Sequence, residues 1–109
     1  MKFVSFLLKG QPKFGVSDGK NITDLTGKIK GAQTLKELII NNSINEAKEF
    51  SKKNPGKINV DEIDYLPVIP NPGKIVCVGL NYSEHVKETG RTVEQNPVIF
   101  LRVPESQTA

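Results

Sequence analysis

The stretch LPVIPNPG, residues 66–73, decides how this chain is organised. It contains three prolines within six residues and closes on a glycine. Proline fixes φ and lacks a backbone N–H, so such a stretch excludes a helix and forms a stiff, extended connector. We therefore predict a domain boundary here, with a small N-terminal α+β domain over residues 1–70 and the start of a second domain over residues 71–109.

Short strands dominate the residues before the connector. Apolar runs are separated by Gly-Gln-Pro at 10–12 and Asp-Gly at 18–19, and Asp-Gly between apolar runs is a strong hairpin signal. Residues 58–69 also read as an extended stretch. The strands predicted before the first helix are 3–8, 13–16 and 21–25.

Two capping boxes predict two helices in the same domain. Thr34 is followed three residues later by Glu37, and Ser43 is followed at the same distance by Glu46. In this pattern the hydroxyl and the carboxylate satisfy backbone N–H groups reciprocally at a helix start. Asn54-Pro55-Gly56 ends the second helix. The apolar residues at helical spacing are Leu35, Leu38 and Ile39 in the first helix and Ile44, Ala47 and Phe50 in the second.

The residues after the connector predict a strand, a helix and a second strand, over 74–78, 81–89 and 97–102. Two strands and a two-turn helix are too few to bury a core of their own. We therefore expect the second domain to be truncated, or to be completed by something outside this chain.

The chain's single histidine lies in the predicted helix of the second domain. His85 precedes Glu88 by three residues, a spacing that places both side chains on one helix face. Asn81 is the expected N-cap of that helix. A carboxylate beside an imidazole fixes its tautomer and stabilises the imidazolium, as a general base requires. The same spacing also occurs where a surface histidine merely has a solvated neighbour.

Composition narrows the classes of function. The formal net charge is +3 and aromatic residues make up 6% of the chain, whereas nucleic-acid binding favours clustered basic residues interleaved with aromatics. No apolar run is long enough to span a membrane, and the N-terminal run lacks a signal-peptide cleavage site. We expect a cytoplasmic protein. Cys77 is the only cysteine, which excludes a disulfide within one chain, and we expect it to be a small buried hydrophobe.

Three further groups of residues are candidate sites. Neighbours on a strand alternate between faces, so the acidic run 61–64 is not expected to bind a metal. Gly79-Leu80-Asn81 lacks the glycines of a dinucleotide-binding turn. Arg102, at the end of an apolar strand, is either an anchor for an anionic substrate or a solvent-exposed strand end.

From residue 71 to residue 100 the sequence resembles the fumarylacetoacetate hydrolase family, close to its fumarylpyruvate and acylpyruvate hydrolase members. The shared features occur in order: the strand, a G-x-N-Y-x-x-H motif that ends at His85, the glutamate Glu88, and a P-V-I-F strand. The preceding residues resemble the small N-terminal domain of bacterial members. The resemblance implies that the second domain is the start of a mostly-β catalytic domain.

The resemblance also implies roles for individual residues. His85 would activate the attacking water, and Glu88 would orient the His85 imidazole or share its proton. Both residues would lie on a helix that acts as a lid. We assign Asn81, Tyr82 and Arg102 to substrate binding, although the family usually has lysine at the last position. The family's Mg²⁺ or Mn²⁺ ion is held by acidic ligands, which we expect after Ala109, and we carry over no metal ligand to this chain.

These observations predict the N-terminal portion of a metal-dependent hydrolase that cleaves a carbon–carbon bond in acylpyruvates or β-diketo acids. We expect the isolated chain to be inactive and the full-length enzyme to be a homodimer that binds a small oxo acid, without nucleic-acid or membrane partners. Two alternatives stay open: a noncatalytic folding or self-association module, and an oxo-acid decarboxylase or isomerase of the same family.

Overall fold

The computed structural model describes residues 1–79 and 98–108 of the chain. The chain divides into two compact units, Met1–Asn71 and Pro72–Gln107, and this division lies in the proline-rich connector. The assignment of the second unit to a truncated catalytic domain stays a prediction. Within the described part of the chain, no helix has the length and apolar character needed to cross a membrane.

The first unit contains an antiparallel sheet of five strands: β1 (Lys2–Leu8), β2 (Gln11–Ser17), β3 (Asn21–Asp24), β4 (Ile58–Asn59) and β5 (Asp64–Leu66). The strand order is β4-β3-β2-β1-β5. Long central strands therefore lie between two short edge strands, which limits the unpaired backbone at both edges. With two helices in the same unit, the predicted α+β class is confirmed for this unit.

Two turns set the register of the first three strands. Lys9 and Gly10 have φ values of 52° and 76°, as a two-residue type I′ hairpin requires. The turn therefore lies earlier than the predicted 10–12, and β2 begins sooner. The predicted Asp-Gly turn is confirmed, since Gly19 has a φ of 105° and the Asp18 carboxylate accepts the backbone N–H of Asn21 at 2.7 Å.

The helices are α1 (Leu35–Ile40) and α2 (Ile44–Lys53). The first predicted capping box is confirmed. The Glu37 backbone N–H donates to Thr34 Oγ1 at 3.2 Å, and the Thr34 N–H donates to Glu37 Oε2 at 3.2 Å. Two N–H groups at the start of α1 are thereby satisfied.

The second predicted capping box does not form. Ser43 is the N-cap of α2, but its side chain makes no cap hydrogen bond and its backbone, at φ −95° and ψ 17°, is not extended. Its hydroxyl instead donates to the carbonyl of Asn41 at 3.4 Å. An N-cap side chain usually accepts a backbone N–H from an extended backbone conformation, which Ser43 does not adopt.

A single apolar cluster joins the sheet to both helices. Leu35 and Leu38 of α1 are buried, but Ile39 is half exposed, so its predicted place on the buried face is wrong. Leu38 is fully buried in this cluster. Ile39 is the next residue and is rotated from Leu38 by about 100° around the helix axis, which leaves its side chain partly exposed. The buried members of the cluster are Phe14, Val16, Leu25, Ile29, Ala32, Leu35, Leu38 and Ala47.

The connector is fastened to the first unit. Ser5, itself buried in β1, donates from its hydroxyl to the carbonyl of Val68 at 2.8 Å. Ile69 packs against the apolar cluster, and Lys36 Nζ donates to the carbonyl of Asn71 at 2.9 Å. Residues 58–69 are not continuously extended as predicted, because a 3₁₀ turn, Val60–Glu62, interrupts them.

The second unit contains an antiparallel pair of strands, β6 (Ile75–Gly79) and β7 (Val98–Arg102). Both predicted strands are confirmed to within one residue at each end. A 3₁₀ turn, Pro104–Ser106, follows β7. Cys77 is half-buried where the sequence predicted full burial, because every residue of β7, including its partner Phe100, is exposed.

Candidate functional site

The candidate site is built on the β6–β7 pair. Ile75 lies opposite Arg102 at one end of the pair, and Gly79 lies opposite Val98 at the other. Residues 80–97 connect these last two positions. The predicted catalytic residues His85 and Glu88, and the predicted substrate contacts Asn81 and Tyr82, all fall in 80–97, outside the described residues. Their mutual geometry therefore stays a prediction.

Arg102 is the one predicted site residue that the structure describes. It ends β7 and is exposed. Its Nη2 donates to the carbonyl of Ser106 at 2.7 Å. Ser106 is fixed in turn, because its hydroxyl donates to the carbonyl of Val103 at 2.7 Å and its backbone N–H donates to the same carbonyl at 3.0 Å.

This arrangement holds the guanidinium group at a defined place. The group has five N–H donors, more than the contact with Ser106 uses. Its planar fork matches a carboxylate. Both interpretations made from the sequence, an anion anchor and an exposed strand end, agree with this geometry.

An ion pair in the first unit, between Lys13 and Asp24, was not predicted from the sequence. Lys13 Nζ lies 2.6 Å from Asp24 Oδ2. Gly15 lies directly opposite Asp24 in the sheet, so Lys13 is its diagonal neighbour across β2 and β3. Opposite charges in two adjacent strands were visible in the sequence, but only the register of the turn at Asp18 and Gly19 brings them together.

Asp24 is held in its charged form. Partial burial raises the pKa of its carboxyl, but hydrogen bonds from Lys13 and from the Thr26 backbone outweigh that effect, so the pKa lies below the ordinary value of 3.8. The Thr26 N–H donates to Asp24 Oδ1 at 2.8 Å. A charged carboxylate whose two oxygens both accept hydrogen bonds suits a structural role better than proton transfer.

A groove of about 360 Å³ runs beside Lys13 in the first unit. Its walls combine apolar residues with the start of α1, and no side chain in its lining is a histidine, cysteine, aspartate or glutamate. Its size suits a small ligand, but the lining lacks a proton-transfer group. The lining residues are Ser5, Pro12, Lys13, Thr26, Gln33, Thr34, Leu66, Pro70 and Asn71.

The described residues form no cluster of metal-binding side chains. Across 1–79 and 98–108, no group of three or more histidine, cysteine, aspartate or glutamate side chains is placed to hold an ion. The acidic residues of the run 61–64 do not converge, since Val60–Glu62 is a 3₁₀ turn and Asp64 begins β5. The described part of the chain does not fit a divalent-metal site.

Comparison with known proteins gives partial matches. No family model matches the chain. The chain is 30% identical over 100 residues to oxaloacetate tautomerase fahd2, mitochondrial, of Xenopus laevis, a match that covers 87% of this chain and 31% of that protein. The part of this chain that the match leaves out is shorter than the segment from residue 89 to residue 109. The match therefore includes positions 85 and 88.

Two shorter matches have a higher sequence identity. The chain is 52% identical over 33 residues to oxaloacetate tautomerase YcgM of Escherichia coli (strain K12), covering 30% of this chain and 15% of that protein. It is 58% identical over 33 residues to oxaloacetate tautomerase FAHD1, mitochondrial, of Arabidopsis thaliana, with the same coverage. The chain thus spans less than a third of the length of these relatives.

These similarities support the fumarylacetoacetate hydrolase family for this chain. They do not extend to the acylpyruvate hydrolase subtype. Since the plant and frog relatives are named as mitochondrial and another relative is bacterial, the cytoplasmic location stays a prediction.

Proposed function

We propose that this chain is part of a fumarylacetoacetate hydrolase family enzyme that interconverts the keto and enol forms of a small oxo acid such as oxaloacetate. The observation that carries the proposal is the match to an oxaloacetate tautomerase over 87% of the chain. The sequence left open an oxo-acid isomerase of the same family, and the names of the relatives favour this alternative. Hydrolysis of a carbon–carbon bond in acylpyruvates stays a prediction.

The proposed reaction needs only proton transfer. A C–H bond beside the carbonyl breaks, its electron pair forms the C=C bond, and the carbonyl oxygen gains a proton. Nothing is oxidised or reduced. His85 is the base proposed to take the carbon-bound proton, with Glu88 orienting the imidazole.

Arg102 is proposed to position the substrate. Its exposed guanidinium, fixed through Ser106, offers a planar pair of donors to a substrate carboxylate. That contact would hold the carbonyl in place while the proton moves. Asn81 and Tyr82 are proposed as further substrate contacts.

A divalent metal is not assigned to residues of this chain. Mg²⁺ or Mn²⁺ would stabilise the negative charge of an enolate oxygen, but the described residues do not fit such a site. The steps proposed above therefore use only side chains of this chain. Any metal ligands are proposed to lie in a longer polypeptide.

A chimeric enzyme tests the proposal. In it, the aligned 100-residue region of the Xenopus laevis relative is replaced by the matching part of this chain. Oxaloacetate ketonisation is followed by loss of the enol's ultraviolet absorbance. We expect catalysis that His85→Ala lowers about 10²–10⁴-fold, while Lys53→Ala, at an exposed helix end, leaves it unchanged.

Arg102 provides a second readout in the same chimera. Arg102→Gln removes the charge and is expected to raise KM for oxaloacetate by about tenfold or more, whereas Arg102→Lys keeps the charge and is expected to raise it less. A chimera that has the circular dichroism and melting behaviour of the relative but does not accelerate ketonisation would overturn the proposal. Equal activity of the His85→Ala variant would overturn the assigned base.

A further inference from the structure

The proline-rich segment that follows β5 is held on the first unit by means other than a sheet. The pairing of β5 with β1 ends at Leu66, which lies opposite Ser5. Three of the six residues 67–72 are prolines, which have no backbone N–H to donate to a neighbouring strand. Residues 67–71, which we call the strap, therefore depend on other contacts for their position.

The first of these contacts is a buried hydrogen bond from the sheet. Ser5 is 4% exposed, and its hydroxyl donates to the carbonyl of Val68 at 2.8 Å. A buried hydroxyl that lost this acceptor would be left unsatisfied, which is unfavourable. Val68 is itself 61% exposed, so its carbonyl is the anchored group and its side chain largely faces solvent.

Two further contacts hold the strap after Val68. Ile69 packs against the apolar cluster of the first unit, and Lys36 Nζ donates to the carbonyl of Asn71 at 2.9 Å. Lys36 lies on α1, which joins the same cluster through its buried leucines. The strap is thus tied to both layers of the first unit, to the sheet through Ser5 and to a helix through Lys36.

The chain becomes open immediately after the strap. A Cβ added to Gly73 would meet nothing within 4 Å, and Gly73 and Lys74 are both exposed. Glycine also restricts the backbone less than any other residue. The division between the two compact units falls between Asn71 and Pro72, at the point where the anchored backbone ends.

We propose that the strap moves as part of the first unit and that a hinge of three residues, 72–74, follows it. The Ser5 hydroxyl sets where the hinge begins, because it is the buried anchor of the strap. Without that anchor, the hinge extends back towards Pro67. The hinge lies directly before β6, which begins at Ile75. This proposal rests on contacts within the first unit and does not depend on the proposed enzymatic function.

Backbone ¹⁵N relaxation of the full 109-residue chain tests the proposal. An order parameter of about 0.85 marks rigid backbone, and one below about 0.6 marks flexible backbone. We expect the rigid value at Val68, Ile69 and Asn71, which carry the N–H groups of the strap. We expect the flexible value at Gly73 and Lys74. This profile is measured on the natural chain and needs no variant.

Two variants test the role of Ser5. Ser5→Ala removes the anchoring hydroxyl, and the order parameter of Val68 is expected to fall from about 0.85 to below about 0.6. The matched control is Val68→Ala, which trims the exposed side chain and keeps the carbonyl. It is expected to change the order parameter at position 68 by less than about 0.1.

Lys36→Met tests the second anchor, because it removes the ammonium group and keeps the length of the side chain. It is expected to lower the order parameter of Asn71 and to leave that of Val68 unchanged. A Val68 order parameter that falls as far in Lys36→Met as in Ser5→Ala would contradict the role given to Ser5.

The proposal is overturned if Val68 and Asn71 of the natural chain are as flexible as Gly73. It is also overturned if the order parameter does not fall at Gly73 and Lys74. A Ser5→Ala chain whose β1 and β2 resonances show an intact sheet, but whose Val68 stays as ordered as in the natural chain, would overturn it too. So would a Val68→Ala chain in which the strap is as flexible as in Ser5→Ala.

Discussion

The two units differ in what lies against their strands. In Met1–Asn71, two helices cover one face of a five-stranded sheet, and Phe14 on that sheet is 1% exposed. In Pro72–Gln107, the described residues form a two-stranded sheet in which Phe100 is 48% exposed. Both regions have apolar strands, so an apolar strand becomes a core only where a second layer covers it.

The largest effect that tests this comparison is the loss of a phenylalanine ring in each unit. Phe14→Ala removes a buried ring and is expected to cost about 3–5 kcal/mol of unfolding free energy. Phe100→Ala removes a half-exposed ring and is expected to cost less than about 1 kcal/mol. Urea titrations followed by circular dichroism measure both values. Similar costs for the two variants would contradict this contrast between the described residues of the two units.

A pair of glycines provides the next contrast. A Cβ added to Gly56 would lie 2.6 Å from the backbone carbon of Ile22, whereas one added to Gly73 would meet nothing within 4 Å. Gly56→Ala is therefore expected to destabilise the first unit by about 1–3 kcal/mol through overpacking. Gly73→Ala is expected to be neutral or slightly stabilising, because it restricts the unfolded chain. Thermal melts of the two variants measure the difference, and equal melting temperatures would contradict it.

The sequence predicted the features that depend on neighbouring residues better than those that depend on contacts between distant parts of the chain. The first three strands and the capping box at Thr34 were predicted because turn glycines and a three-residue spacing are local, whereas the 3₁₀ turn that separates β4 from β5 was not. The Ser43 box failed because the backbone at Ser43 is not extended, which a three-residue spacing does not reveal. The pairing of Lys13 with Asp24 depends on a register between strands, which local patterns do not define.

For the candidate site, the sequence predicted the flanking strands more directly than the roles of individual side chains. The two strands on either side of residues 80–97 were predicted from their apolar residues. The proposed roles of His85 and Glu88 rest on the family resemblance and stay a prediction. A spacing of three residues is equally compatible with an ordinary surface pair. The contact from Arg102 to Ser106 could not be predicted, since it depends on a 3₁₀ turn after β7 that has no strong sequence signal.

The two helix starts test the comparison on a smaller scale, within the first unit. Thr34→Ala removes a hydroxyl that accepts an N–H and is expected to cost about 1 kcal/mol. Ser43→Ala removes a hydroxyl that makes no cap hydrogen bond and is expected to cost only a few tenths of a kcal/mol. Denaturant midpoints of the two variants check this order. A larger loss for Ser43→Ala would reverse the assignment of the caps.

The smallest expected effect is a pH dependence confined to the first unit. Because the pKa of Asp24 is lower in the folded chain than its ordinary value of 3.8, this carboxylate stabilises the fold above that value. The contribution is lost as the pH falls through the lower, folded pKa. Since Lys13 and Asp24 retain some exposure, we expect less than about 1 kcal/mol.

Asp24→Asn isolates this contribution, since the amide keeps the shape of the side chain but does not titrate. At pH 7 the variant is expected to be less stable than the natural chain, and at pH 2 the two are expected to converge. Asp18 also has a lowered pKa, because the backbone N–H groups of Asn21 and Lys20 donate to its carboxylate, and it titrates in both proteins. The difference between the two stability curves therefore belongs to Asp24, and a difference that persists unchanged at pH 2 would assign its effect to packing instead of charge.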